Sequence, residues 1–136
     1  MKIVIDTNII FSSLLSSNEK YLKLFNNYSF YAPNYLIYEI FKYKSKISKF
    51  SNLQLREIDE FFSFIVKRIN FKNEIDLSVL SLKQAYELCY DIDKNDIAFV
   101  ALTIELNGVL LTGDKKLYNG LKNKGFDKLI KMEDLL

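Results

Sequence analysis

The chain has no histidine and no tryptophan, and only one cysteine, one proline and four glycines in 136 residues. Without an imidazole, Ser-His-Asp and Cys-His hydrolysis and the usual His-ligated zinc enzymes are excluded. Any acid/base or metal chemistry must therefore run on carboxylates. The single thiol, Cys89, can form neither an intramolecular disulfide nor a Cys-rich zinc site, which suits a reducing compartment. It reads most simply as a small buried apolar residue on its helix. Charge is nearly balanced, with 19 Lys plus Arg against 17 Asp plus Glu and a net +2. Contact with nucleic acid would have to come from local clusters of charge. No apolar run approaches the length needed to span a bilayer, and Asp6 interrupts MKIVID where a secretory leader would continue its apolar stretch. A cytoplasmic protein that uses no membrane is expected.

What is present is ample core material: 49% of residues are hydrophobic, with 11 Phe and 9 Tyr. No linker, repeat or low-complexity tract divides the sequence, so residues 1–136 are treated as one domain. Ile3-Val4-Ile5 predicts a short buried strand ending at Asp6-Thr7-Asn8. Residues 8–27 then look helical, with a break near Ser16-Ser17-Asn18, and Tyr28 to Ala32 is a second strand candidate. Pro33 suits the first turn of the next helix, in which Ile37, Ile40, Phe41 and Ile47 keep helical spacing and Glu39 falls on the flank. Leu55, Ile58, Phe61, Phe62, Ile65, Val66 and Ile69 predict a further amphipathic helix. Asp76 or Ser78 could cap another, running to about Tyr90. The segment IAFVALTIEL is apolar all round and predicts a helix buried in the domain, stopped by Asn107-Gly108. Val109-Leu110-Leu111 is a second buried strand, followed by a lysine-bearing helix to about Lys124 and an edge strand at Lys128 to Lys131. Strands alternating with helices predict an α/β domain, a mostly parallel sheet covered on both faces.

In such sheets the functional crevice lies beyond the carboxyl ends of the strands. Asp6 directly follows one buried strand and Asp114 closely follows the other. Each would serve equally well as a helix cap. Asp96 opens the all-apolar helix, so it must either cap that helix or be compensated at a polar site in the interior. Glu39 alone reads as an ordinary helix residue. If the two strands are neighbours, the acids converge, and three or four carboxylates so close need raised pKa values or a divalent cation. All-oxygen ligation selects Mg2+ or Mn2+ over Zn2+. Such a site can polarise a phosphoryl group and acidify a water.

These residues resemble a known family. IDTNII at the start, Glu39 in YLIYEIFK, Asp96 in NDIAFVALTIEL and Asp114 in LLTGDKKL are similar, in order and separation, to the four acidic motifs of the PIN domain. That family's fold is used by the toxin subunits of many prokaryotic toxin-antitoxin pairs. The resemblance implies a three-layer α/β/α sandwich with a sheet of about five strands in the order 3-2-1-4-5. It also implies catalytic, metal-ligating roles for Asp6, Glu39, Asp96 and Asp114 with Mg2+ or Mn2+, and hydrogen bonds from Asn8 and Thr112 that orient the acids. Cleavage of single-stranded RNA, an antitoxin partner and a homodimer are further implications. Asp93 and Asp91 precede Asp96, and either could share its role, although a cap or loop acid is the simpler reading of Asp93. Where some relatives place a further acid after Asp114, this chain has Lys115-Lys116-Leu117, a departure that bears on a second ion.

Two lysine clusters follow the proposed acids. Lys42, Lys44, Lys46, Lys49 and Arg56 come after Glu39, and Lys115, Lys116, Lys122, Lys124, Lys128 and Lys131 come after Asp114. Both could flank a groove and neutralise phosphates, Lys42, Lys44, Lys46, Lys115 and Lys116 foremost, or could simply keep helix faces solvated. Tyr35, Tyr38, Tyr43 and Tyr118 are candidates to stack on bases. The leading expectation is a metal-dependent endoribonuclease. A non-catalytic PIN-fold module that binds a protein or RNA is the alternative. An Asp-nucleophile phosphatase ranks lower, because Asn8 stands where that chemistry needs a second aspartate.

Overall fold

The computed structural model describes residues 1–16 and 19–136. Five strands, β1 (Ile3–Ile5), β2 (Phe30–Pro33), β3 (Ile69–Lys72), β4 (Val109–Leu111) and β5 (Leu129–Ile130), form one parallel sheet in the order β3-β2-β1-β4-β5. Among the described residues seven α-helices join them: α1 (Thr7–Ser16), α2 (Glu19–Asn27), α3 (Tyr35–Phe50), α4 (Leu55–Val66), α5 (Val79–Cys89), α6 (Ile97–Leu106) and α7 (Lys115–Asn123). Right-handed crossovers send the β1–β2 and β2–β3 connections over one face and the β3–β4 and β4–β5 connections over the other. The packing agrees, since α1, α3 and α4 touch one another while α5 packs on both α6 and α7. The result is the expected three-layer α/β/α sandwich. Among the described residues no helix is long and apolar enough to cross a membrane.

The core is centred on β1, β4 and α6. Ile3, Val4, Ile5, Leu110 and Leu111 are buried, as are Phe99, Val100, Ala101 and Leu102 of α6. This helix is apolar all round because β1, β2 and β4 cover one side and α5 the other. Asn107 ends it in the left-handed conformation at φ 51°, as a stop signal should. Gly108 follows because the chain passes close to β1 there: a Cβ would lie 2.4 Å from the Lys2 carbonyl oxygen. Cys89 is buried, as expected, and burial pushes its thiol up to about 12, so it is inert as a nucleophile.

Several sequence expectations need correction. The second strand starts at Phe30, because the Tyr28 N–H is held by the Leu24 carbonyl at 3.1 Å as α2 ends. Pro33 closes β2 opposite Lys72 instead of opening a helix, and Asn34 occupies the N-cap position of α3. Ile69, which continues the periodicity of α4, begins β3, a strand that periodicity did not separate from the helix. In α3 the buried residues are Leu36 and Ile40, while Phe41 is 69% exposed. Ser78, not Asp76, caps α5, accepting from the Ser81 N–H. The expected break near Ser16-Ser17-Asn18 falls largely outside the described residues.

Candidate active site

Between β1 and β4 the order of strands reverses direction, which is where an open α/β sheet offers a crevice at its carboxyl edge. The two strands pair in register, Ile5 beside Leu111, so the next residues, Asp6 and Thr112, also lie side by side. The Asp6 N–H donates to the Leu111 carbonyl at 3.0 Å, and the Thr112 hydroxyl donates to Asp6 Oδ2 at 2.7 Å. Asp6 Oδ1 accepts from the Thr7 N–H at 2.8 Å. Both oxygens of this buried carboxylate are thus oriented by fixed donors.

A groove of about 430 Å³ opens over this edge, and Asp6, Glu39, Asp93, Asp96 and Asp114 all line it. Glu39 reaches it from the second turn of α3, where its Oε1 accepts from the Thr7 hydroxyl at 2.7 Å. Asp114 sits at the N-cap of α7; its Oδ1 accepts from the N–H groups of Lys116 and Leu117, so its capping role is real. Asp96 differs. It precedes α6 but makes no side-chain cap bond, and its buried Oδ2 has no hydrogen-bond partner. A buried carboxylate oxygen without a donor is costly, and the cost is relieved by protonation or by a bound cation.

Electrostatics points the same way. Desolvation raises Asp96 to about 8, and the charges of Asp6, Asp93, Asp114 and Glu39 add to the rise. Asp6 goes up to about 6, chiefly by burial, with the hydrogen bonds from Thr112 and Thr7 opposing and Glu39 and Asp114 adding. Glu39 is also raised by burial, against the bond from Thr7. Asp6, Glu39 and Asp96 are each raised in part by neighbouring acids, yet among the described residues no three are gathered tightly enough to hold an ion as they stand. The donor set itself, all carboxylate oxygen with one oxygen orphaned, fits a hard divalent cation.

Thr7 is the residue that sequence reasoning missed. It lay inside the Asp6-Thr7-Asn8 run, but nothing in the sequence signals which acid, 32 positions away, its hydroxyl would bind. Asn8 acts differently from expectation: its Oδ1 accepts from the Gly113 N–H at 3.2 Å and so steadies the loop before Asp114, and among the described residues it makes no hydrogen bond to an acid. Thr112 meets its expected role on Asp6 and also accepts from the Asp114 N–H at 3.1 Å. Asp93 caps a short turn by accepting from the Asn95 N–H at 2.9 Å, while lining the groove. Asp91 is exposed and paired with Lys124 away from it.

The lysines divide. Lys46 lines the groove beside Phe11, Tyr43 and Phe50. Lys44 instead pairs with Asp59 of α4, and Lys42 lies over the rings of Tyr38 and Tyr43. Lys115 lines a second cavity that shares Asp114 as a wall, and exposed Lys116 lines neither.

The PIN domain sequence profile matches residues 4–133. The chain belongs to the PIN domain family. Among solved structures, this PIN domain is similar to VapBC2 from Rickettsia felis, a complex bound to a DNA fragment from its promoter, at 18% identity and TM-score 0.62, covering 96% of this chain and 97% of that one. It is also similar to PAE2754 from Pyrobaculum aerophilum, at 13% identity and TM-score 0.70, covering 99% of this chain and 86% of that one. At these identities the likeness is one of fold. No curated protein matches the chain by sequence.

Proposed function

We propose that this PIN domain is a metal-dependent endoribonuclease that hydrolyses phosphodiester bonds of single-stranded RNA. The observation that carries the reading is the unpartnered, buried Oδ2 of Asp96, set among acids whose charges add to the rise in its proton affinity. Asp6, Glu39, Asp96 and Asp114 would hold Mg2+ or Mn2+. A bound ion of this kind supplies phosphoryl polarisation and a water acidic enough to attack at neutral pH. The chain's own part is preorganisation: Thr112 and the Thr7 N–H fix Asp6, the Thr7 hydroxyl holds Glu39, and Asn8 sets the loop that presents Asp114. Lys46 and Lys115, on either side of Asp114, would hold flanking phosphates.

A toxin role in the cytoplasm, with an antitoxin that covers the groove, extends this reading. The family and the fold shared with VapBC2 support it. The exposed apolar side chains of α3, Phe41 and Phe50, suit a protein partner, whether an antitoxin or a second copy in a homodimer. The Asp-nucleophile alternative is disfavoured because Asn8, which stands where that chemistry needs a second aspartate, is engaged with the Gly113 N–H.

Either Asp6→Asn or Asp96→Asn should abolish Mn2+-dependent cleavage of a single-stranded RNA pool, with circular dichroism and Tm showing an intact fold. Full activity in both variants would overturn the reading. Metal binding by the wild type without cleavage of any RNA would favour the non-catalytic module.

A further inference from the structure

Asp114 is a wall common to two cavities. One is the acidic groove. The other, of about 250 Å³, lies between the loop after β4, the first turns of α7 and the segment after β5. Ile9, Tyr118 and Met132 give it apolar sides, Asn119 and Glu133 offer an amide and a carboxylate, and Lys115 and Lys131 bring two ammonium groups. These lysines are 16 positions apart in sequence and come from different elements. The space is smaller than a site for a drug-sized ligand and suits a single nucleobase.

We infer that this second cavity is a nucleotide subsite, in which the base next to the cleaved bond stacks on Tyr118 while Lys115 and Lys131 each hold one of the two phosphates that flank it. The inference rests on the ribonuclease reading above, and it gives the strand a path: past the acids, over Asp114, into the cavity. Tyr118 is half-buried, so its ring is held in place, and Lys131 Nζ lies 5.0 Å from its centroid, with Lys122 Nζ at 5.7 Å. An exposed ammonium over an aromatic ring is weakly held. A base stacking on that ring displaces Lys131 toward the adjoining phosphate, where the same charge is better used. The amide of Asn119 and the carboxylate of Glu133 then face the base edge, and a carboxylate there favours a base that presents an amino group.

The test measures binding of a fluorescent single-stranded RNA with Ca2+ in place of Mg2+, so that binding is read without rapid turnover. Tyr118→Leu should weaken binding by roughly tenfold and Tyr118→Phe should leave it nearly unchanged, as stacking requires. Lys131→Ala should weaken binding and lower the salt slope by about 0.7. Lys83→Ala, on exposed α5 surface, is the control. An abasic residue scanned along the RNA should reproduce the Tyr118→Leu loss at one position, and the two changes together should cost no more than either alone. If wild type binds RNA and cleaves it with Mn2+ while the Tyr118 and Lys131 variants bind equally well, the subsite is wrong and the ribonuclease reading stands. If wild type neither binds nor cleaves any RNA, both fall.

Discussion

An aspartate that opens a helix is ordinarily stabilised by the free N–H groups of the first turn. Asp114 follows that rule and Asp96 does not, although sequence alone presents them as equivalent. Asp96 therefore holds a charge that neither its helix nor solvent stabilises, and its proton affinity rises to about 8. With Asp6 raised to about 6, two carboxyls bind protons more tightly in the folded chain than at the ordinary 3.8 of an unfolded one. More protons bound in the folded state means stability that is full at low pH and lost as pH climbs from about 4 through about 8. In chelator, Tm should fall across that window. Asp96→Asn, which removes the charge, should gain on wild type steadily from pH 5 to pH 8. A divalent cation should reverse the loss for wild type, by about 2.7 kcal/mol at a hundredfold excess over Kd, or roughly 10 °C for a domain of this size. Differential scanning fluorimetry with Mg2+ and Mn2+ at both pH values checks this. An equal response in wild type and Asp96→Asn would mean that the acid is not a ligand.

At the scale of elements, α7 shows how one residue can serve fold and site together. Asp114 Oδ1 ties two N–H groups of that helix. Asparagine caps as well as aspartate, whereas alanine does not. Asp114→Asn should therefore keep wild-type stability and lose cleavage, while Asp114→Ala should lose cleavage and also about 1 kcal/mol in urea denaturation. Equal stability of the two variants would deny the cap. The same two levels divide what could be read in the sequence. Helices with strong periodicity or clear stops, such as α4, α6 and α7, were legible, and so were β1 and β4, because a buried parallel strand needs an unbroken apolar run. β3 was not, because Ile69 extends the spacing of α4 and only pairing with β2 makes it a strand. Asp6, Asp96 and Asp114 were legible as candidates through their places after strands or before helices, whereas Glu39, an ordinary helix residue by itself, was legible only through the resemblance to the PIN family. Their supporting bonds were not: Thr7 meets Glu39, and Asn8 meets Gly113, only because the crossover brings α3 and the loop after β4 to the same edge.

Over the whole molecule, a net charge of +2 conceals a polarised layout. Acids meet at the carboxyl edge of the sheet, and the lysines that follow them in sequence scatter. Lys128 is hydrogen-bonded to Asn107, ahead of β4 and so at the opposite edge, and Lys124 is held by Asp91 and the Leu88 carbonyl. Lys44 is neutralised by Asp59, and Lys46, two residues on, lines the groove. A field so divided cannot supply general affinity for polyanions, so RNA binding should depend on a few lysines and show a shallow salt dependence. Each phosphate neutralised on a single strand contributes about 0.7 to the slope of log K against log salt. Three contacts, from Lys46, Lys115 and Lys131, would give a slope of about −2. Lys46→Ala should weaken binding and reduce that slope by about 0.7, while Lys44→Ala should change neither by much. Fluorescence titrations over a range of KCl concentrations, with Ca2+ present, distinguish the two. Equal losses from both substitutions would show that the lysines act through bulk charge, and the groove would then lose its claim to position the strand.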